Sequence, residues 1–401
     1  MTPINSRRRT IYLSLRYLSL IISFILSIFY TPKLGLTNRG ILSFVFLITG
    51  VLIPVLSQGM RLALRGYYIR NPNQSVPIIP YFRAVLTHAV LGLILVNFIL
   101  FLFLSRLDHL EPPIFFAVIS YFAAAFGAQI FYDYLLSRSN YRVLNIKIVT
   151  EVSILVFVFF VLVKMEYYSL FITILLSLTV SYAVGGFLLA LVFNKKTLIK
   201  MIFDKSQPDR NHLSSQVGFI KSLFPSSILI VIDRLDKFII FLAFPISTFS
   251  KIVLAQSFLA FVKPAQDLAV NFVSSRSEAL DQRKLFFWGA LLCSVSGLIV
   301  FIVYYFVLDS FFGAEWKLGI DLLLLLFLLE IFKFLLSISV SRVYISRDID
   351  FKAFQIFSFF GVVVLLSLGT ILIGAPIHIV VFVLIAIYLC CLMMSIRADV
   401  I

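Results

Sequence analysis

The sequence predicts an all-α polytopic membrane protein of about twelve transmembrane helices in two six-helix halves. Three observations lead there. The chain has 401 residues, 61% of them hydrophobic and only 13% charged, with a mean hydropathy of +1.06. A soluble domain is about 45–50% apolar and about 25% charged, and a disordered chain is poorer still in apolar residues. The apolar share amounts to about 245 residues, enough for about twelve helices of roughly 20 residues each. The second observation is that the basic residues alternate loop by loop. The third is a long polar stretch near the chain midpoint.

Taken in order, the spans fall at about 11–30, 41–60, 81–104, 114–136, 147–164, 168–193, 219–244, 250–275, 285–308, 318–341, 353–374 and 376–396. Arg7-Arg8-Arg9 precede the first span without a small-residue cleavage site behind it, so a retained first helix is expected rather than a signal peptide. Asn38-Arg39-Gly40, Glu111-Pro112-Pro113 and Gly374-Ala375-Pro376 supply turn chemistry between neighbouring spans. The last of these makes the final two spans a helical hairpin. Pro54 and Pro264 lie inside spans and mark kinks. Gly185-Gly186 in the sixth span marks close packing or a hinge. The aromatic residues are read as lipid-facing filler and as interface anchors, among them Tyr67-Tyr68, Tyr167-Tyr168 and Trp316.

Orientation follows from lysine and arginine. With the N-terminus inside, the inner segments hold 22 basic residues and the outer ones six: Lys33, Arg39, Arg106, Lys164, Lys251 and Lys317. Positive charge favours the cytoplasmic side, so both termini are expected in the cytoplasm and the protein in the inner membrane. The same rule accounts for the net charge of +15 without nucleic acid. The stretch 194–218 (NKKTLIKMIFDKSQPDRNHLSSQVG) is the expected cytoplasmic joint between lobes at 1–193 and 219–401. Repeated halves of this kind are common in transporters. Pro32, Arg39 and Pro54 find a faint echo in Pro245, Lys251 and Pro264.

Several chemistries are missing. The chain has no GxxxxGK[ST] phosphate loop, no HExxH and no GxSxG. Its four histidines, His88, His109, His212 and His378, are scattered. Cys293, Cys390 and Cys391 lie in apolar runs and read as small core hydrophobes. No catalytic residues, metal or cofactor are expected. A membrane polymerase or glycosyltransferase would need larger outer loops than the short ones available.

What remains is charge inside the spans, where each isolated ion costs about 2.5–3.5 kcal/mol at a helix centre. The seventh span carries Asp233, Arg234, Asp236 and Lys237, the eighth Lys263 and Asp267, and the tenth Glu330 and Lys333. Asp233 and Lys237, Lys263 and Asp267, and Glu330 and Lys333 are spaced to pair on one helix face. Three helices with mid-depth charge point to a wet central cavity, where transporters bind substrate. In the first half, Arg83 and Asp133 (one turn from Arg138) read as helix-end charges, and Glu151 as the partner of Lys147 at the inner end of the fifth span. Arg16 lies just beneath the inner headgroups, in reach of a lipid phosphate.

With these residues in view, the chain resembles the Wzx-type flippases of lipid-linked oligosaccharides, in the multidrug/oligosaccharidyl-lipid/polysaccharide superfamily. The resemblance rests on LIVIDRLDKFIIFLAF (Leu229–Phe244), with its Asp236-Lys237 step, on YTPKLGLTNRGILSF (Tyr30–Phe44) and on FFGAEWKLGIDLLLLL (Phe311–Leu326). It implies a MATE-like arrangement of two lobes around a central cavity, working by alternating access. The implied cargo is an undecaprenyl-pyrophosphate-linked oligosaccharide, flipped for O-antigen, capsule or exopolysaccharide synthesis. Polysaccharide polymerase and chain-length proteins are the implied partners, beside the membrane lipids. The resemblance casts Arg16, Arg234, Lys237, Lys263 and Lys333 as contacts to phosphate or sugar. Asp233, Asp236, Asp267 and Glu330 become acids coupled to H+ or Na+, or partners of those cations. A drug/cation antiporter of the same fold is the alternative.

The topology has a direct test. A reporter that is active only outside the cytoplasm is expected to be silent when fused after Ile401 and active when inserted after Lys164.

Overall fold

A computed structural model describes residues 3–56, 112–137, 141–166, 169–188, 236–259, 282–343 and 372–398, with single residues or short pieces at 90, 92–95, 234, 361 and 368–369. The described elements are helices: α1 (Pro3–Leu56), α2 (Pro112–Ser137), α3 (Tyr141–Met165), α4 (Leu170–Tyr182), α5 (236–243), α6 (Ile246–Leu259), α7 (Gln282–Phe311), α8 (Ile320–Val343) and α9 (Ile377–Ala398). No strand occurs among the described residues. The stretches Thr10–Ile53, Pro112–Ile130 and Tyr141–Met165 are long and apolar enough to cross a membrane. Large apolar side chains such as Phe306 (72% exposed) and Phe157 (69%) face outward, as lipid contact requires. These features make the chain a multi-pass membrane protein.

The 54 residues of α1 are too long for one crossing, since about 20 suffice. The helix breaks at Gly35 (φ 72, ψ 168), in a backbone region open to glycine and closed to most other residues. The expected turn at Asn38-Arg39-Gly40 is therefore displaced. Arg39 is helical and buried instead of sitting in an outer loop. Gly40 is a packing glycine, because a Cβ there would lie 2.7 Å from the Ile246 carbonyl oxygen. Sequence chemistry pointed to the polar triplet, but only Gly35 carries the positive φ that turns the chain.

Two compact units emerge: Met1–Tyr30 with Val45–Ile230, and Thr31–Phe44 with Val231–Ile401. In the first, α4 packs against both α2 and α3. Ser169 caps α4 by accepting from the Ile172 amide, and the helix ends in a π-helical turn, Ala183–Leu188. Gly185 of that turn presses on the Glu151 side chain. Gly186 lies on α2, where a Cβ would come within 2.8 Å of Ala128 Cα. Of the two readings for this glycine pair, close packing is the one observed. Beneath it, Lys147 and Glu151 pair at 2.5 Å, both largely buried. Lys147 also lies over the Tyr132 ring at 5.5 Å, and the Tyr132 hydroxyl hydrogen-bonds that of Tyr12. The expected Lys147–Glu151 pair thus forms, as an interior group flanked by aromatic rings.

In the second unit α8 packs most extensively on α9. A turn at residues 372–375 leads into α9, closed by the Ala375 amide donating to Leu372 O at 3.0 Å, where Gly374-Ala375-Pro376 predicts one. Phe44 stacks on Phe241 at 3.8 Å and meets Phe238 edge-on. Two expectations fail here. Trp316, expected at the membrane interface, is 2% exposed and packs edge-to-face on Phe312 at 5.7 Å. Of the cysteines, Cys391 is buried but Cys390 is exposed. A helix apolar on every side does not reveal which face meets lipid and which meets protein. The joint at 194–218, Pro264, Arg83, Tyr67-Tyr68 and Tyr167-Tyr168 lie outside the described residues.

The Gly186 contact is testable. Gly186→Val is expected to destabilise by about 1–3 kcal/mol through overpacking on the α2 backbone. Gly127→Ala, with nothing within 4 Å of the added methyl, is expected to stabilise by up to about 1 kcal/mol. Unfolding of the purified protein in detergent measures both.

Candidate functional site

The charged residues of the second unit converge on Lys333. It sits near the middle of α8, one turn from Glu330, and is 8% exposed. Its Nζ donates to Asp236 Oδ2 at 3.1 Å and to Glu330 Oε1 at 3.4 Å. Asp236 lies on α5 and is wholly buried. A fourth residue closes the group: Gln256 of α6, whose Nε2 donates to the same two oxygens, at 3.1 Å to Asp236 and 3.4 Å to Glu330. Below the ammonium lies the ring of Tyr388 from α9, 5.8 Å from Nζ. Side chains from α5, α6, α8 and α9 therefore meet around one cation.

Local sequence explains how each helix presents its group. Pro245 separates α5 from α6; the Phe249 amide bonds its carbonyl at 3.1 Å to begin α6. The two helices run on either side of this break, which lets Asp236 and Gln256, 20 residues apart, meet. Glu330 and Lys333 share a face because three residues are nearly one helical turn. Tyr388 is 1% exposed, which keeps the ring fixed beside the ammonium.

Electrostatically the two carboxylates face the Lys333 ammonium, with Arg234 and Lys237 close enough to act on the same charges. In a low-dielectric interior each of these ions is costly unless it stays paired. Two acceptor oxygens, Asp236 Oδ1 and Gln256 Oε1, are buried with no hydrogen-bond partner among the described residues. Ordinary folded proteins leave few such groups. The arrangement therefore keeps two unused acceptors, where a proton or small cation can be held.

Of the sequence-derived candidates, Asp236, Glu330 and Lys333 are brought together. The Glu330–Lys333 pair forms at its expected spacing, but the shorter contact of Lys333 runs across helices to Asp236. Arg234 and Lys237 are half-buried on and beside α5. Arg16 belongs to the first unit, half-buried on α1 one turn from Tyr12. Asp233, Lys263 and Asp267 lie outside the described residues. Sequence reasoning passed over Gln256 and Tyr388. Gln256 is polar within an apolar run, and that was its one available signal. Among the described residues no cluster of His, Cys, Asp and Glu suited to a metal ion occurs.

No family model and no curated protein matches the sequence. The fold, by contrast, has a solved counterpart, the crystal structure of the eukaryotic MATE transporter AtDTX14. It aligns over 98% of either chain with a TM-score of 0.65, at 13% sequence identity. The chain therefore has the MATE transporter fold.

Proposed function

We propose that this protein is an ion-coupled secondary transporter that flips an undecaprenyl-pyrophosphate-linked oligosaccharide repeat unit from the inner to the outer leaflet by alternating access. The observation that carries the transporter reading is the buried Asp236–Lys333–Glu330–Gln256 group within a MATE-type fold. Midplane charge at helix junctions is where transporters bind substrate and coupling ions. The flippase reading rests further on the short runs that resemble those of Wzx-type flippases and on the basic candidates Arg16, Arg234, Lys237 and Lys263, suited to a pyrophosphate.

In this reading Asp236 and Glu330 are the coupling acids. A proton arriving on Asp236 removes its charge and with it the pull on Lys333. The ammonium then keeps Glu330 as its anionic partner among the described residues, and the helices that carry these groups are free to repack. Deprotonation restores the first arrangement. Such a two-state element is what an ion gradient needs in order to bias a conformational equilibrium. The flipped repeat unit would pass to polysaccharide polymerase and chain-length proteins.

One observation favours a second reading. The Tyr388 ring beside the carboxylates Asp236 and Glu330 also suits an organic cation, as a drug/cation antiporter of this fold would carry. The two readings separate in cells. In the first, Lys237→Ala and Lys263→Ala leave the protein in the membrane but halt surface polysaccharide assembly, with lipid-linked repeats held on the inner leaflet. Normal polysaccharide in both variants, together with loss of drug efflux, would establish the antiporter.

The charge group makes its own prediction. Lys333→Met is expected to destabilise by about 3–5 kcal/mol, because the buried Asp236 and the half-buried Glu330 lose the ammonium they share. Adding Asp236→Asn is expected to recover most of that loss, as measured by unfolding in detergent. Asp236→Asn alone is expected to leave a folded protein whose gradient-driven transport falls by about 5–150-fold. Unchanged transport would remove Asp236 from the coupling role.

A further inference from the structure

The first unit carries a second feature, separate from the charge group. A groove of about 630 Å³ runs along the outward face of α3, with Ile22 of α1 at its side. It is lined by Val152, Val156, Phe157 and Phe160, and Lys164 stands at its end. Phe157 and Phe160 are 69% and 57% exposed, so no helix among the described residues covers this face. Lys164 lies in the last turn of α3 and is exposed. It makes no ion pair among the described residues. The backbone leaves the helix two residues later, at Glu166, with φ 56.

We infer that this groove holds one acyl chain of an anionic phospholipid, with the lipid phosphate on the Lys164 ammonium. Length argues for it. Val152 to Lys164 is twelve residues, about 18 Å of helix, against about 15 Å for one leaflet of a 30 Å hydrocarbon core. The full helix is about 37 Å long, which puts Lys164 at headgroup level at one end and Arg142 at the other. The groove thus spans the depth of a single leaflet and ends where its phosphates lie. Charge argues for the headgroup. A lysine at a helix C-terminus, next to a polar–apolar boundary, is a cation in reach of an anionic phosphate. A long polyprenyl chain would overrun so short a groove. The inference depends on α3 crossing the membrane and not on which substrate is transported.

Native mass spectrometry of the full chain in detergent, with phosphatidylglycerol or phosphatidylcholine added, tests this. One phosphatidylglycerol is expected to be retained about five-fold more tightly than phosphatidylcholine. Lys164→Gln is expected to abolish the preference and Lys164→Arg to keep it. Val156→Trp, which fills the groove, is expected to lose the retained lipid. The inference is overturned by equal retention of the two lipids, by a preference that survives Lys164→Gln, or by its loss in Lys164→Arg as well. Displacement of phosphatidylglycerol by a polyprenyl phosphate, or a dimer formed through this face, would overturn it too. Transport activity is read separately in the same variants, so a failed flippase assay leaves the lipid result standing.

Discussion

The Lys333 ammonium is the point on which the second unit turns. It is buried in an apolar surrounding, donates to two carboxylates at 3.1 and 3.4 Å, and rests on an aromatic ring. Each partner comes from a different place in the chain: Asp236 from α5, Glu330 from α8 itself and Tyr388 from α9. An ion in such surroundings tolerates little displacement, because lost contacts are not replaced by water. The helices that deliver these groups are held to one arrangement as long as the charges stay as they are. Removing one of these charges would leave the others without the contacts that hold the helices in place.

Around that point the packing is made of apolar contacts that carry no direction of their own. Phe44 stacks on Phe241, Phe258 meets Tyr304 edge-to-face, and Gly40 lets α1 approach Ile246. In the first unit the same division of labour recurs on a smaller scale. Lys147 and Glu151 form the polar centre, Tyr12 and Tyr132 bridge it to α1 and α2, and Gly185 and Gly186 let α4 close over it. Both units thus bury an ion pair and surround it with rings and small residues. Between helices in lipid, close packing and hydrogen bonds do the work that the hydrophobic effect does in water.

Much of the fold was legible beforehand. Helix α2 starts at Pro112, within two residues of the expected span, and α8 and α9 begin within two residues of theirs. Turn chemistry located the 372–375 turn. It misplaced the break in α1, because the polar residues Asn38 and Arg39 suggested a loop while a single positive φ at Gly35 made one. Cys390 was misassigned because its neighbours are apolar on every side, so periodicity that would separate inside from outside in a soluble protein is absent. Trp316 was misassigned because the charged Glu315 and Lys317 beside it suggested the interface, whereas the tight turn Ala314–Trp316 folds its ring onto Phe312.

For the candidate site the division is sharper. Composition and residue order by themselves determined that the chain spans a membrane, that it is helical, and that charges stand in the middle of certain spans. They also determined the Glu330–Lys333 pair, since a helix places residues three apart on one face. Tertiary structure alone decided that Lys333 reaches Asp236, 97 residues away, and that Gln256 and Tyr388 complete the group. Sequence spacing governs contacts within one helix, whereas contacts between helices depend on how apolar faces of nearly equal character happen to pack. That choice is written in shape, at glycines and aromatic rings, and becomes readable only when the helices are seen together.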